Sequence, residues 1–454
     1  MVDALIYSIA VALRELSLFA AIGFFILGIG DLAVDFVWLW LKLTRRLPPP
    51  PDLRTPSAAP GRFAVFVPAW DEAGVIGAML DCALRAFGAA DYVLYVGAYA
   101  NDPATIAAVR GVGDGRVRLV VGAAAGPTCK ADCLNRLWAQ MLDDEARAGV
   151  RFKGVILHDA EDVVHSGELA LFDRLLDRFD VVQLPVLPLI DPDSHWIGAS
   201  YADEFAEAHG KELVVREALG AGLPLAGVGC AIARAALADL AAARGGAPFD
   251  AGSLTEDYEL GLRLRARGRR GTFVPAGRGR GQPVVATRAF FPATLRAAVA
   301  QKSRWMTGIA LAGWDRLGWR GGVAECWMRL RDRQAIVAAL VLAAAYLSLI
   351  LWPLLLALEL TTGGEVPPAS PLFLLLAPLN AALLLWRLAM RFGFVAATYG
   401  WREGLRAVPR AVTSNIVTMM AAARALERYA QLLRTGAAAW GKTAHSFPRV
   451  IPAE

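Results

Sequence analysis

Phe63-Ala64-Val65-Phe66-Val67-Pro68-Ala69-Trp70-Asp71-Glu72 is the stretch on which the reading of the fold turns. Its first half is a continuous run of apolar, β-branched and aromatic residues, the pattern of a strand buried on both faces. Proline ends the run, and polar residues stand at its carboxyl end. The pattern recurs in Tyr92 to Gly97, which ends near Asn101-Asp102-Pro103, and in Val117 to Val121, Val155 to Asp159 and Val181 to Val186. Helical patterns lie between these runs, with Ile76 to Ala86 the clearest. Strands alternating with helices predict an α/β domain built on a mostly parallel sheet flanked by helices, spanning residues 62–287. Ligands of such sheets bind beyond the carboxyl ends of the strands, where the polar residues of this chain cluster.

The rest of the chain reads differently. Of its 454 residues 56% are hydrophobic, and the mean hydropathy of +0.42 directs attention to membrane segments. Leu16 to Leu41, Gln334 to Leu358 and Val366 to Trp386 are each long enough to cross a bilayer. The first lacks a cleavage motif and reads as an uncleaved anchor within residues 1–46. Lys42, Arg45 and Arg46 follow it, Arg329, Arg331 and Arg333 precede the second span, and Arg387 and Arg391 follow the third. These flanks predict a periplasmic N-terminus and a cytoplasmic α/β domain. Asp31 and Asp35 share one face of the anchor; they meet a polar partner, line a conducting path, or lie near the headgroups. A proline-rich tether (47–61) leads to the α/β domain. Interfacial helices (288–333), the paired spans (334–391) and a cytoplasmic or interfacial C-terminal region (392–454) complete the predicted organisation. In the last of these Ala411 to Ala423 is too short to span and reads as an interfacial helix. The net charge of +5 is explained by basic residues flanking membrane helices, without nucleic acid. The five cysteines and five histidines show no C-x-x-C or H-E-x-x-H spacing, which argues against zinc.

Several clusters carry chemistry. His158-Asp159-Ala160-Glu161-Asp162 puts three carboxylates just past a strand, oxygen ligands suited to Mg²⁺ or Mn²⁺. Gly227-Val228-Gly229-Cys230 gives either a close backbone approach or a tight turn. Thr255-Glu256-Asp257 opens an amphipathic helix, with Thr255 a candidate N-cap and the acids in the first turn. About forty residues on, Gln301-Lys302-Ser303-Arg304-Trp305 offers an arginine for phosphate and a tryptophan for stacking on a ring.

The T-E-D and Q-x-x-R-W pair, in this order, resembles the motifs of membrane-bound glycosyltransferase family 2 synthases. Pro68-Ala69-Trp70-Asp71-Glu72 is similar to that family's P-A-x-N-E opening, and Asp159-Ala160-Glu161 to its D-x-D motif. With Asn101-Asp102-Pro103-Ala104-Thr105 and the tail Trp440-Gly441-Lys442-Thr443-Ala444-His445-Ser446-Phe447-Pro448, the chain resembles the bacteriophage adsorption protein B (NfrB-type) family. The resemblance implies a GT-A nucleotide-diphospho-sugar transferase domain with a helical transmembrane region, in the bacterial inner membrane. It implies that Asp257 is the catalytic base, and that Pro68, Ala69, Asp71, Glu72, Asn101, Asp102, Lys130, Asp159 and Arg304 contact the nucleotide-sugar. Glu256, Gln301 and Trp305 would serve the acceptor, and Asp159, Glu161 and Asp162 the metal. The Asp-Asp pair common after the second strand is replaced here by Asn101-Asp102. The implied donor is a UDP-hexosamine, the acceptor a polysaccharide or lipid-linked sugar, and the product a polysaccharide exported with an outer-membrane partner. Alternatives are transfer of one sugar to a polyprenyl phosphate, or a non-catalytic scaffold used in phage entry. Many members continue into a cyclic di-GMP domain; the sequence ends at Glu454, so direct regulation by that nucleotide is not expected.

Overall fold

The computed structural model of the protein describes residues 2–47, 55–275, 284–362, 368–435 and 445–448. Pro48 to Pro51 of the predicted tether and Trp440 to Ala444 of the tail lie outside the described residues.

Seven strands form one sheet: β1 (Arg62–Pro68), β2 (Tyr92–Tyr99), β3 (Val117–Gly122), β4 (Phe152–Leu157), β5 (Val181–Gln183), β6 (Cys230–Ala233) and β7 (Gly271–Phe273). Their spatial order is β3-β2-β1-β4-β6-β5-β7. β6 runs antiparallel to β4 and β5, and the other neighbours pair in parallel. The long apolar runs fall at the centre, where Val65 lies beside Leu94 of β2 and Ile156 of β4. One face packs on the Ile76–Phe87 helix, the other on the Lys130–Ala148 helix around Trp138. The chain moves outward from β1 to β3, then returns to the other side of β1 as β4. That reversal opens a crevice at the carboxyl ends of β1 and β4.

β6 and β7 escaped the sequence reading because four and three residues are too few for a periodicity to show. β5 is shorter than the expected Val181-to-Val186 run. Pro185 cannot donate to a ladder, and pairing resumes only as an isolated bridge between Val186 and Thr287.

Three helices are long and apolar enough to cross a membrane: Ile6–Leu43, Ala335–Thr361 and Pro371–Tyr399. Trp352 Nε1 donates to Ser17 Oγ (2.9 Å) and Asn380 Nδ2 to the Ala21 carbonyl (2.8 Å), tying the three together. Leu349, Ile350, Leu374 and Leu375 face outward, as lipid contact requires. The first and third helices outrun the expected spans and carry their charged ends to the α/β domain. There Asp31 and Asp35 find polar partners. Asp35 accepts from Lys211 Nζ (2.5 Å) and Trp386 Nε1 (2.8 Å), and Asp31 from Arg331 (2.9 Å) and Arg387.

The short interfacial helix expected at Ala411 to Ala423 is instead the middle of a continuous helix, Trp401–Thr435. Gly404, Ala407, Arg410, Ser414, Val417, Ala421 and Ala425 form its buried stripe at helical spacing. That stripe packs on protein: Val417 meets Tyr201, Ala298 and Val299, and Arg410 grips both oxygens of Asp203 (2.9 and 2.7 Å).

Candidate active site

The end of β1 forms one wall of the crevice. Asp71 has a left-handed φ of 54°, a turn that points successive backbone N–H groups sideways. Asp71 N donates to Asp102 Oδ2 (2.6 Å) and Glu72 N to Thr105 Oγ1 (2.9 Å). Asp102 Oδ1 also accepts from Thr105 N (3.2 Å), capping the Pro103–Gly111 helix. Asp102, an expected nucleotide contact, accepts a backbone N–H on each oxygen and so shapes the loop. Asn101 likewise clasps Gly126, donating to its carbonyl (2.8 Å) and accepting from its N–H (2.7 Å). Pro68 and Ala69 are buried, with Ala69 N bonded to the Gly97 carbonyl (2.7 Å). Trp70 meets Tyr99 edge-on at 5.3 Å, and the Arg136 guanidinium lies 4.5 Å over the Tyr99 ring. The sequence reading gave neither ring a role, although both stand at strand ends, where ligand-contacting residues gather.

The end of β4 supplies the acids. His158 is fully buried, with Nδ1 donating to Asp162 Oδ2 (2.8 Å) and Nε2 to Glu168 Oε1 (2.6 Å). Burial alone would lower its pKa, but Glu168 and Asp162 raise it to about 10, so the ring is held as imidazolium. Asp162 Oδ2 also accepts from Asp159 N (3.0 Å). That oxygen of Asp162, expected at the metal, is therefore engaged in fixing the turn. Asp159 Oδ1 pairs with Lys130 Nζ at 2.5 Å. Glu161 is buried, and its Oε2 receives no hydrogen bond among the described residues. Burial, and then Asp159, Asp162 and Glu72, push its pKa well up. A bare, buried carboxylate oxygen among other acids fits a cation ligand.

Lys130 links this wall to the second. Burial opposes its charge, yet Asp159, Glu256 and Asp257 together raise its pKa. Glu256 and Asp257 open the Glu256–Ala266 helix, as expected. Thr255 stands at the N-cap but makes no capping bond; its Oγ1 is buried without a hydrogen-bond partner among the described residues. Gly227, with φ +77°, lies against Asp257, and a Cβ there would sit 2.4 Å from Oδ2. The close approach expected of that glycine is made to Asp257 itself. Behind the helix, Ser253 Oγ (2.6 Å), Arg316 Nε (2.5 Å) and Arg263 Nη2 (2.8 Å) all donate to Glu259. Tyr258 OH donates to Asp332 (2.7 Å), which also accepts from Arg216 (2.8 Å). The Glu256–Ala266 helix is thereby bolted to the Val323–Arg333 helix that precedes the second long apolar helix. Nothing in the spacing of these residues announced that network.

The Leu295–Met306 helix carries Gln301, Arg304 and Trp305. Arg304 is near enough to favour the charged forms of both Glu256 and Asp257. Gln301 Oε1 is buried without a hydrogen bond among the described residues. Trp305 is half-buried, edge-on to Tyr201 at 6.1 Å. Lys302 Nζ reaches Glu204 (2.5 Å) and fixes the helix on its neighbour. Thus Lys130, Asp159, Glu256, Asp257 and Arg304 come together, and Glu72 and Glu161 lie beside them. One further residue enters this group: His445, whose Nδ1 lies 2.8 Å from Glu72 Oε1 and 3.3 Å from Glu161 Oε2.

A sheet with this order, an acid-lined crevice and a pair of motif-bearing helices agrees with known proteins. Residues 60–308 match the family described as "Glycosyltransferase like family 2". The chain is 36% identical over 469 aligned residues to bacteriophage adsorption protein B of Escherichia coli strain K12, covering 96% of this chain and 63% of that protein. The bacteriophage N4 adsorption protein B of Escherichia coli O157:H7 matches to the same extent. The chain thus spans 63% of the length of these curated relatives. Among solved structures, the mannosyltransferase PcManGT from Pyrobaculum calidifontis, in complex with GDP-Man and Mn²⁺, superposes with a TM-score of 0.55. It is 18% identical, and the match covers 91% of this chain and 99% of that one. That likeness establishes a GT-A-type fold, a mostly parallel sheet flanked by helices, joined here to three candidate transmembrane helices. With more than half of its length matched, the chain belongs to glycosyltransferase family 2.

Proposed function

We propose that this chain is an inverting glycosyltransferase of the bacterial inner membrane, with its catalytic domain in the cytoplasm and its N-terminus outside. The donor in this reading is a UDP-hexosamine, and the product is a growing polysaccharide passed to an outer-membrane export partner. The observation that carries the reading is Lys130. It pairs with Asp159 of the acid cluster and is felt electrostatically by Glu256 and Asp257 of the second wall. A buried cation between two carboxylate groups suits a site where a diphosphate leaves on one side and a hydroxyl is deprotonated on the other.

In the transfer step an oxygen lone pair of the acceptor hydroxyl forms a bond to the anomeric carbon of the sugar. The bond from that carbon to the diphosphate oxygen breaks, and its electron pair leaves with the nucleoside diphosphate. The hydroxyl proton passes to the Asp257 carboxylate. Gly227 packs against that carboxylate, and Lys130 and Arg304 favour its charged form against burial, which raises its pKa. Lys130 and Arg304 offset the charge that develops on the leaving diphosphate. Gln301 and Trp305 orient the acceptor, Glu256 supports Asp257, and Ala69, Asp71 and Glu72 line the nucleotide side. Asp159 and Glu161 would hold a Mg²⁺ or Mn²⁺ ion, which when bound neutralises diphosphate charge.

The test is turnover of UDP-hexosamines and UDP-hexoses by the purified protein in nanodiscs, with the product sized. Acceptor-dependent UDP release with a long product is the expected result. One sugar on a lipid would replace the polymer reading with transfer to polyprenyl phosphate. No turnover and no nucleotide binding would favour a scaffold and overturn the proposal.

A further inference from the structure

The Trp401–Thr435 helix has a second face besides the stripe that packs on protein. It turns back at Gly400 (φ +93°) from the third apolar helix and lies against that helix's end, where a Cβ on Gly404 would stand 2.8 Å from that of Ala396. Trp401, Leu405, Val412, Ile416 and Met420 are exposed along it. Val412, Ile416, Met420, Arg424 and Arg428 follow one another at intervals of four, so the apolar row runs directly into two arginines. A row that is first apolar and then basic suits the boundary between acyl chains and headgroups.

A third guanidinium comes to the same place. Thr307, in the turn after Arg304, has its Oγ1 3.3 Å from the carbonyl of Ala425, the neighbour of Arg424. Burial, then Arg424 and Arg304, lower the pKa of Arg428, as like charges held close together do. Among the described residues none of these three arginines makes an ion pair or a hydrogen bond. Glu427, beside them in sequence, pairs with neither Arg424 nor Arg428, and residues 436–444 that follow the helix contain no acid. Arg304 favours the charged forms of Glu256 and Asp257, but Arg424 and Arg428 are not among the main charges those acids feel. Their positive charge is thus left without an acid to offset it among the described residues.

We propose that Arg424 and Arg428, with Arg304 as the third member, hold the headgroup phosphate of one anionic phospholipid between the C-terminal helix and the Leu295–Met306 helix. Guanidinium N–H groups meet phosphate oxygens in pairs, and a phosphate shared by three guanidiniums offsets their mutual repulsion. The row itself selects the source. The side chains that lead to the arginines are apolar and exposed, as a neighbouring acyl chain requires and a soluble diphosphate does not. Basic pockets beside membrane helices take anionic headgroups for the same reason. The site goes beyond the transferase reading and needs nothing of it. Arg304 is the point where the two meet, because the guanidinium that helps hold the headgroup also acts on Glu256 and Asp257.

The test is native mass spectrometry of the full chain released from nanodiscs of phosphatidylcholine and phosphatidylglycerol. The expected result is one phosphatidylglycerol retained per chain in preference to phosphatidylcholine. Arg424→Gln combined with Arg428→Gln is expected to weaken that retention roughly thirty-fold, the factor for two arginines near an anionic surface. Arg402→Gln combined with Arg406→Gln removes the same charge at the other end of the helix and is expected to leave retention unchanged. A wild-type protein with no preference for phosphatidylglycerol overturns the site, without relying on any variant's fold. Equal loss in both double variants overturns it too, by reducing it to the diffuse attraction of a basic helix. Displacement of the lipid by UDP would assign the arginines to the nucleotide, and displacement by equimolar polyprenyl phosphate would assign them to a lipid acceptor; either result overturns the phospholipid site. Retention is read without sugar transfer, so an inactive protein that keeps the lipid supports the site and counts only against the transferase.

Discussion

Gly308 comes so close to Thr255 that a Cβ on it would stand 2.5 Å from the threonine Oγ1. This contact joins the helix bearing Gln301, Arg304 and Trp305 to the start of the helix bearing Glu256 and Asp257. Gly308 lies in the π-helical segment Thr307–Ala312 that follows Met306, a local widening often found at functional sites. Thr307 Oγ1 donates to the Ser303 carbonyl (2.7 Å) and lies 3.3 Å from that of Ala425, so the C-terminal helix closes over the same joint.

Gly308→Ala should therefore push the two motif helices apart while leaving the rest of the fold intact. A misplacement near 1 Å costs on the order of 10²-fold in rate. Turnover is expected to fall by about that factor, with a melting temperature lowered only by the roughly 1–3 kcal/mol that overpacking costs. Full activity would show that the contact is not needed for alignment.

Asp257→Asn removes the proposed base and keeps its shape. Loss of general-base catalysis typically costs about 10²–10⁴-fold. Transfer is expected to drop within that range, with nucleotide binding retained in calorimetry. Activity close to wild type in a folded variant would transfer the role to another group.

Burial, then the Asp257 charge, raise the Glu256 pKa from 4.5 to about 7, with Lys130 opposing them. Asp257 is raised as well, chiefly by burial and against Lys130. The sign follows from the raised value. Protonated Glu256 stabilises the fold below its ordinary pKa, and that contribution is lost as the pH rises through about 7. Catalysis runs the other way, because the base must be ionised. Because burial raises Asp257, activity is expected to start falling on the acid side at a higher pH than an ordinary aspartate base would give. Glu256→Gln removes the neighbouring charge and should move the acidic limb to lower pH. A limb that stays in place in this variant would separate Glu256 from the titration of Asp257.

Arg410 is 1% exposed and Asp203 fully buried, and their bidentate pair joins the C-terminal helix to the Gly198–Glu207 helix. Breaking a buried pair by removing one partner costs roughly 3–5 kcal/mol, because the other charge is left unpaired. Arg410→Ala should lower the melting temperature markedly, whereas Arg410→Met with Asp203→Leu should recover much of it. Equal stability of the single and double variants would contradict this account.

Residues 62–68, 92–99 and 152–157 declare their strands in the sequence, because runs buried on both faces must be apolar throughout. Glu256 and Asp257 stand at the helix start and Asp159 and Glu161 just past β4, on the elements that the sequence pattern gives them, although a helix start favours acids on structural grounds as well. The membrane helices announced themselves by length and hydropathy. The tertiary structure decided what is non-local. Asp102 and Asn101 bond backbone groups that only the folded loop brings near. Asp162 reads as a third free acid until His158, four residues back in sequence, turns toward it and claims one oxygen. Asp31 and Asp35 meet Arg331 and Lys211 from distant parts of the chain. His445 reaches Glu72 across more than 370 residues of sequence. Local pattern fixes which segments become strands and helices, because burial and backbone pairing act over a few residues. Which polar atom satisfies which is a property of the packed whole.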